Sequence, residues 1–135
     1  MTLSLSRMNP TSLPDAGRAG YSQITVVPPG PLAFVSGQVA WRRDGGPVPG
    51  DIAEQADIVI ENLSLALTAL NARPDRIVQM RIYMTDLHQG ALDSVMAKIG
   101  AFLDGAQPSL TGVGVTALAA PDLKLEVEMV VSVPA

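Results

Sequence analysis

The sequence predicts an α+β domain, a single mixed β-sheet with two helices packed on one face. Three observations carry that expectation. Strand-like and helix-like patterns alternate in the order strand, strand, helix, strand, helix, strand, strand, which a two-layer arrangement satisfies. Ile52, Ala56, Val59, Leu63, Leu67 and Leu70 recur at three- or four-residue spacing and form one apolar helical stripe. Near the C-terminus Leu123, Leu125, Val127, Met129, Val131 and Val133 occupy every second position, the period of a strand with one buried face.

Residues 1–19 mix Ser, Thr, Asn, Pro and Gly and read as a mostly irregular leader to one domain over residues 20–135. Residues 21–27 form a short β-branched strand. Pro28-Pro29-Gly30-Pro31 marks a turn, and residues 32–40 return as a second strand, so the pair reads as a hairpin. Residues 43–50 are a Gly- and Pro-rich loop. The first helix spans residues 51–71, with Asp51 as its cap, Glu54 placed for a capping box and Pro74 beyond its end. In the strand at residues 77–85, Val78, Met80, Ile82 and Met84 point one way, and Gln79, Arg81, Tyr83 and Thr85 the other. A second helix covers residues 89–103, burying Leu92, Val95, Met96, Ile99 and Leu103, and Gly105 suits the turn after it. Strands at residues 111–117 and 123–133 complete the domain. On the last, Lys124, Glu126, Glu128 and Ser132 face away from the apolar set.

Composition narrows the function. Of 135 residues 47% are hydrophobic and only 16% charged, against about 25% charged in an average soluble domain. That deficit points to surface hidden in an oligomer. No run approaches the roughly 18 apolar residues of a spanning helix. Net charge is −4, and Arg42-Arg43 is the nearest thing to a basic patch, so no nucleic-acid partner is expected. The absence of cysteine excludes disulfides, thiolate nucleophiles and Cys-based metal sites. The N-terminus lacks the basic and apolar regions of a secretory signal, and a cytoplasmic location is the expectation.

Dinucleotide- and phosphate-binding glycine motifs are missing. The single histidine, His88, precedes the second helix and reads as an exposed residue at a helix start. No spacing of carboxylates or histidines fits a metal. Three features remain. Glu126 and Glu128 share one strand face, where like charges on a buried surface raise each other's pKa and favour proton transfer, although a solvated sheet face has the same pattern. Val35-Ser36-Gly37-Gln38 ends an apolar strand with a glycine that admits a ligand or another backbone. Thr111-Gly112-Val113-Gly114-Val115 is a strand carrying two glycines, which again implies close approach.

These features occur in order with others: Gly20-Tyr21-Ser22-Gln23, Ser36-Gly37-Gln38, Glu61-Asn62-Leu63, Tyr83-Met84-Thr85-Asp86-Leu87, Pro108-Ser109-Leu110-Thr111-Gly112-Val113-Gly114-Val115, and Lys124-Leu125-Glu126-Val127-Glu128. Together they resemble the RidA (YjgF, endoribonuclease L-PSP) family of enamine/imine deaminases, over residues 20–133. The resemblance implies a chorismate mutase-like fold and a homotrimer whose sheets face its centre. It further implies small-molecule sites between subunits, no cofactor, and hydrolysis with Glu126 activating water. Tyr21, Ser36 and Gly37 would wall the pocket, Leu110, Thr111 and Gly112 would also contact the substrate, and backbone N–H groups near Gly112 could bind an oxyanion. The family's substrate-carboxylate arginine is Leu110 here, and a family asparagine on the second helix is Met96. Both changes imply a substrate that is less charged and more apolar. Arg81, Arg42 or Arg43 would have to reach the site from elsewhere to replace the missing cation. A non-catalytic trimeric binding protein is the alternative, and ribonuclease activity has the least support.

Overall fold

The computed structural model describes residues 3–134. Residues 1 and 2 of the expected leader and Ala135 at the end of the expected domain lie outside the described residues. Six strands and two α-helices are present among them, besides short 3-10 turns at Gly17–Ala19 and Pro74–Arg76: β1 (Ser6–Met8), β2 (Ile24–Val26), β3 (Leu32–Gln38), α1 (Ile52–Ala69), β4 (Ile77–Met84), α2 (Gln89–Leu103), β5 (Ser109–Gly114) and β6 (Leu125–Ser132). The main sheet has the order β3-β6-β4-β5. β6 runs antiparallel to both of its neighbours, whereas β4 and β5 are parallel, so the sheet is mixed as expected.

One expectation is corrected. β2 and β3 do not form a hairpin. β2 pairs instead with β1 in a separate two-stranded ribbon, and β3 pairs with β6. Pro28, Pro29 and Pro31 explain the difference, because they withhold the N–H groups that a tight hairpin ladder would use. The leader therefore contributes a strand. Arg7 fixes that ribbon to the domain: its guanidinium donates to Thr25 Oγ1 at 2.9 Å and to the carbonyl of Ile77 at 2.7 Å. Farther on, buried Ser22 bridges to β5, its hydroxyl donating to the carbonyl of Gln107 at 2.6 Å and its N–H to that of Pro108 at 3.1 Å.

The core lies between the helices and one sheet face. Ala56, Val59, Leu63 and Leu67 of α1 and Ala91, Val95, Ile99 and Leu103 of α2 meet Met80, Ile82, Met84, Leu125, Val127, Met129 and Val131. On α2 the buried stripe is rotated from expectation. Ala91 replaces Leu92 at its start, and Leu92 and Met96 are only partly covered. On β4 the expected alternation fails at its first residue. A register irregularity between Ile77 and Gln79 turns Ile77 inward and leaves Val78 half-buried. Ser132 is likewise buried, not outward-facing, and its hydroxyl accepts from Arg76 Nη2 at 2.6 Å.

Asp51 caps α1 by accepting from the N–H of Ala53 at 3.2 Å, while Glu54 closes no capping box among the described residues. Gln55, on the first turn of α1, is fully buried. Its amide nitrogen donates to the carbonyls of Pro49 and Asp122, both at 2.8 Å, and its oxygen accepts from the N–H of Lys124 at 2.9 Å. One side chain thus joins the loop before α1 to the loop before β6. Replacing Gln55 by Ala would leave those backbone groups buried without partners. The expected loss is about 3 kcal/mol of unfolding free energy, measured by chemical denaturation, and an unchanged midpoint would contradict this role.

Candidate functional site

The two faces of the main sheet carry different chemistry, and the parity of β4, β5 and β6 decides which residue goes where. Leu110 pairs with Met80 and Gly112 with Ile82, so Leu110 faces the helices. There it lines a cavity of about 300 Å³ with Tyr21, Leu87, Leu92, Met96, Gly112 and Val113, over a floor of Ile82 and Met84. Tyr21, Leu110, Gly112 and Met96, all singled out in the sequence, are therefore brought together. Leu87 and Leu92 were not singled out. Leu92, expected in the core, is brought to the cavity wall by the rotation of α2. No charged side chain lines this cavity among the described residues.

The opposite face is open and polar. Arg81 pairs with Thr111 on one side and Glu128 on the other, and Tyr83 pairs with Glu126. The Tyr83 hydroxyl donates to Glu128 Oε1 at 2.5 Å, and Arg81 Nη1 stands 3.4 Å from the same oxygen. This bond to the Glu128 carboxylate, together with partial burial and the nearby negative charge, holds the Tyr83 phenol above its ordinary pKa. Tyr83 could have been found from the alternation of β4, which places it on the face opposite the core.

Glu126 and Glu128, expected to act as a coupled pair, are held differently. Glu128 is engaged by Tyr83 and Arg81. Glu126 makes no hydrogen bond or ion pair among the described residues. It lies against Gly37, where a Cβ would come within 2.2 Å of Glu126 Oε2. Gly37 sits in the register irregularity of β3 between Val35 and Gln38, and that bulge permits the approach. Ser36, beside it, is exposed.

The sequence candidates thus fall into two groups within one chain. Tyr21, Met96, Leu110 and Gly112 lie at the helix-side cavity. Ser36, Gly37 and Thr111 belong with Arg81, Glu126 and Glu128 around the open face and its edge. Arg81 is turned away from the Leu110 cavity and toward Glu128. Arg42 stands 3.5 Å from Glu61 and, with Arg43, lines a separate cleft on the outer side of α1. His88 caps α2, its Nδ1 accepting from the N–H of Ala91 at 3.1 Å. No group of three or more His, Cys, Asp or Glu among the described residues is placed to hold a metal, and no helix among them is long and apolar enough to cross a membrane.

A family model described as Endoribonuclease L-PSP matches residues 12–133. RutC family protein YjgH of Escherichia coli is 37% identical over 98 residues, which cover 73% of this chain and 74% of that protein. The crystal structure of YyfB from Yersinia pestis, described as a conserved Rid family protein of unknown function, superposes with a TM-score of 0.88 at 32% identity, covering 96% of this chain and 99% of that one. Escherichia coli TdcF, named provisionally as a reactive intermediate deaminase, is 31% identical over 104 residues, 75% of this chain and 78% of its own length. A TdcF structure with bound serine superposes with a TM-score of 0.69 at 28% identity, covering 83% of this chain and 87% of that one.

The Tyr83–Glu128 contact has a measurable signature. The chain has two tyrosines, so Tyr21→Phe isolates Tyr83. Its tyrosinate absorbance is expected to titrate with a midpoint above the ordinary 10.0, and Glu128→Gln is expected to lower that midpoint. Because the folded value is raised, the contact stabilises the fold fully below the unfolded value. That contribution is lost as pH rises through the folded one. A midpoint that Glu128→Gln leaves in place would show that the contact is absent in solution.

Proposed function

The chain belongs to the endoribonuclease L-PSP family, the RidA/YjgF family that its sequence resembles, and from that premise we propose a hydrolytic small-molecule site of the enamine/imine deaminase type with an altered substrate. The observation that carries the proposal is Glu126. Its carboxylate projects from the open sheet face, rests against the glycine of a β-bulge and has no hydrogen-bond or ion-pair partner among the described residues. A carboxylate so placed is free to take a proton from a water molecule. That water adds its oxygen to the carbon of a C=N bond, the nitrogen gains a proton, and collapse of the resulting carbinolamine releases ammonia and leaves a carbonyl.

Within one chain the apolar cavity and Glu126 lie on opposite sheet faces. In this reading a homotrimer completes the site, with Glu126 and Gly37 of one subunit approaching the Tyr21 and Leu110 cavity of the next. Phe34 supports that assembly, because it is 76% exposed on the open face beside half-buried Val130. Leaving so large an apolar side chain in water forgoes about 2 kcal/mol. The substrate is altered because Leu110 cannot pair with a carboxylate, and burying that anion without a partner costs several kcal/mol.

A second reading, a binding protein without the hydrolytic step, is favoured by the wholly uncharged cavity lining. TdcF, a relative crystallised with serine, shows that a ligand is bound in at least one related protein. Ribonuclease activity, carried in the family's descriptive name, has less support, since Arg42 and Arg81 are both paired with carboxylates.

Two experiments test the proposal. Ammonia release would be followed from freshly generated 2-aminoacrylate and 2-iminobutyrate and from an uncharged imine such as that of phenylacetone. Hydrolysis is expected with the uncharged imine, and Glu126→Gln is expected to lower the rate at least about 100-fold. Gly37→Ala, which pushes the Glu126 side chain aside, is expected to lower it similarly with the fold intact. Rates unaffected by Glu126→Gln would remove Glu126 from the chemistry, and no release from any imine would favour the binding-only reading. Separately, Phe34→Glu is expected to reduce the mass found by light scattering from three chains to one. A wild-type protein that is already monomeric would overturn the intersubunit site.

A further inference from the structure

We infer that the helix-side cavity receives an uncharged, ring-bearing molecule with a single carbonyl or imine acceptor, a ligand class that rests on the small-molecule reading above and goes beyond it. The walls exclude charge. Leu87, Leu92, Met96 and Leu110 surround the space, and every other lining group is apolar, glycine or the single hydroxyl of Tyr21. The nearest sheet cation, Arg81, belongs to the opposite face and is held by Glu128. A carboxylate entering here would find no counter-charge among the described residues that line the cavity.

Size then limits the apolar body. An apolar cavity of roughly 150 Å³ accommodates benzene. The present cavity is about 300 Å³, room for two fused rings or for one ring with a short chain. Met96 suits such a guest, because its flexible thioether adapts to irregular shapes and packs well against aromatic edges.

The polar end is defined by two features. β5 is the last strand of its sheet and pairs with β4 on one side alone. The segment carrying Tyr21 and Ser22 is bridged to its outer edge at Ser109. Beyond that point the outward backbone groups of β5 are uncovered among the described residues. Gly112 is exposed, and nothing lies within 4 Å of the position a Cβ would take, so its backbone can be approached closely. The Tyr21 hydroxyl likewise has no hydrogen-bond partner among the described residues. A ligand oxygen or nitrogen at the cavity mouth would meet the phenol, an outward amide of β5, or both, while its ring lies among the leucines.

Phenylacetone and phenylpyruvate test this directly, since they share the benzyl ketone and differ by a methyl group against a carboxylate. Propylbenzene lacks the acceptor. By titration calorimetry the wild-type protein is expected to bind phenylacetone at least about tenfold more tightly than phenylpyruvate, the minimum set by burying an unpaired carboxylate. Leu110→Arg is expected to reverse that order. Tyr21→Phe is expected to weaken phenylacetone about fivefold and to leave propylbenzene unchanged, the size of one hydrogen bond. Phenylpyruvate binding the wild type equally or more tightly would overturn the ligand class and leave the small-molecule site standing. Equal loss of phenylacetone and propylbenzene in Tyr21→Phe would overturn the acceptor contact. If none of the three compounds binds, the small-molecule reading of this cavity fails with the inference.

Discussion

Everything else in this molecule depends on the two-residue period of β6. It is a central strand, hydrogen-bonded on both edges, and its alternate residues reach opposite surfaces. Leu125, Val127, Met129 and Val131 supply the floor on which both helices rest. Glu126 and Glu128 are thereby committed to the other side. A slip of one residue would put two carboxylates into an apolar core and four apolar side chains into water, so the register is held by a large free-energy difference. The helices and the open face are both consequences of that one alternation.

The same constraint divides the candidate site. Apolar side chains collect under α2, and the carboxylate proposed to activate water stands on the reverse of the sheet. One chain cannot bring them together without breaking its own ladder. The proposed site between subunits is therefore a geometric requirement of the proposed chemistry. It also accounts for the low charge content and for Phe34, an aromatic ring that has no covering inside its own chain. The β-bulge at Ser36 and Gly37 contributes at this boundary by letting the Glu126 carboxylate lie flat against the backbone of β3.

Periodic features were legible in the sequence, and features set by long-range pairing were not. The stripe of α1, the limits of α2 and the inward set of β6 follow from spacing alone. The false hairpin arose because proximity in sequence favours neighbouring strands, and nothing local reveals that Ser6–Met8 competes for β2 or that β6 claims β3. The inward turn of Ile77 depends on an irregularity in pairing with β6, which leaves no mark in the run of residues 77–85. For the site, Tyr21, Leu110, Gly112 and Met96 were named from motif order and converge on one cavity. The assignment of Glu128 to Tyr83 and Arg81 was missed, because which of two alternate carboxylates is engaged depends on the register across β4. The part of the wall formed by Leu92 was missed because leucine at helical spacing looks the same whether it faces a core or a cavity, and Leu87 was missed because it lies in the turn before α2, where no period marks its direction.

The two glycines of β5 have a further consequence, for solubility. An uncovered strand edge is a template on which other chains can add, and proteins suppress that tendency by making such edges short or poor in β-forming side chains. β5 has six residues, and Gly112 and Gly114 remove two of the side chains that would hold an added strand in register. A Cβ at Gly114 would stand 3.3 Å from a Leu87 methyl group, so a larger residue there would require Leu87 to shift. The strand can thus keep its outward amides open to a small guest while offering a newly synthesised neighbour little to grip, so a recognition edge need not become a seed for aggregation.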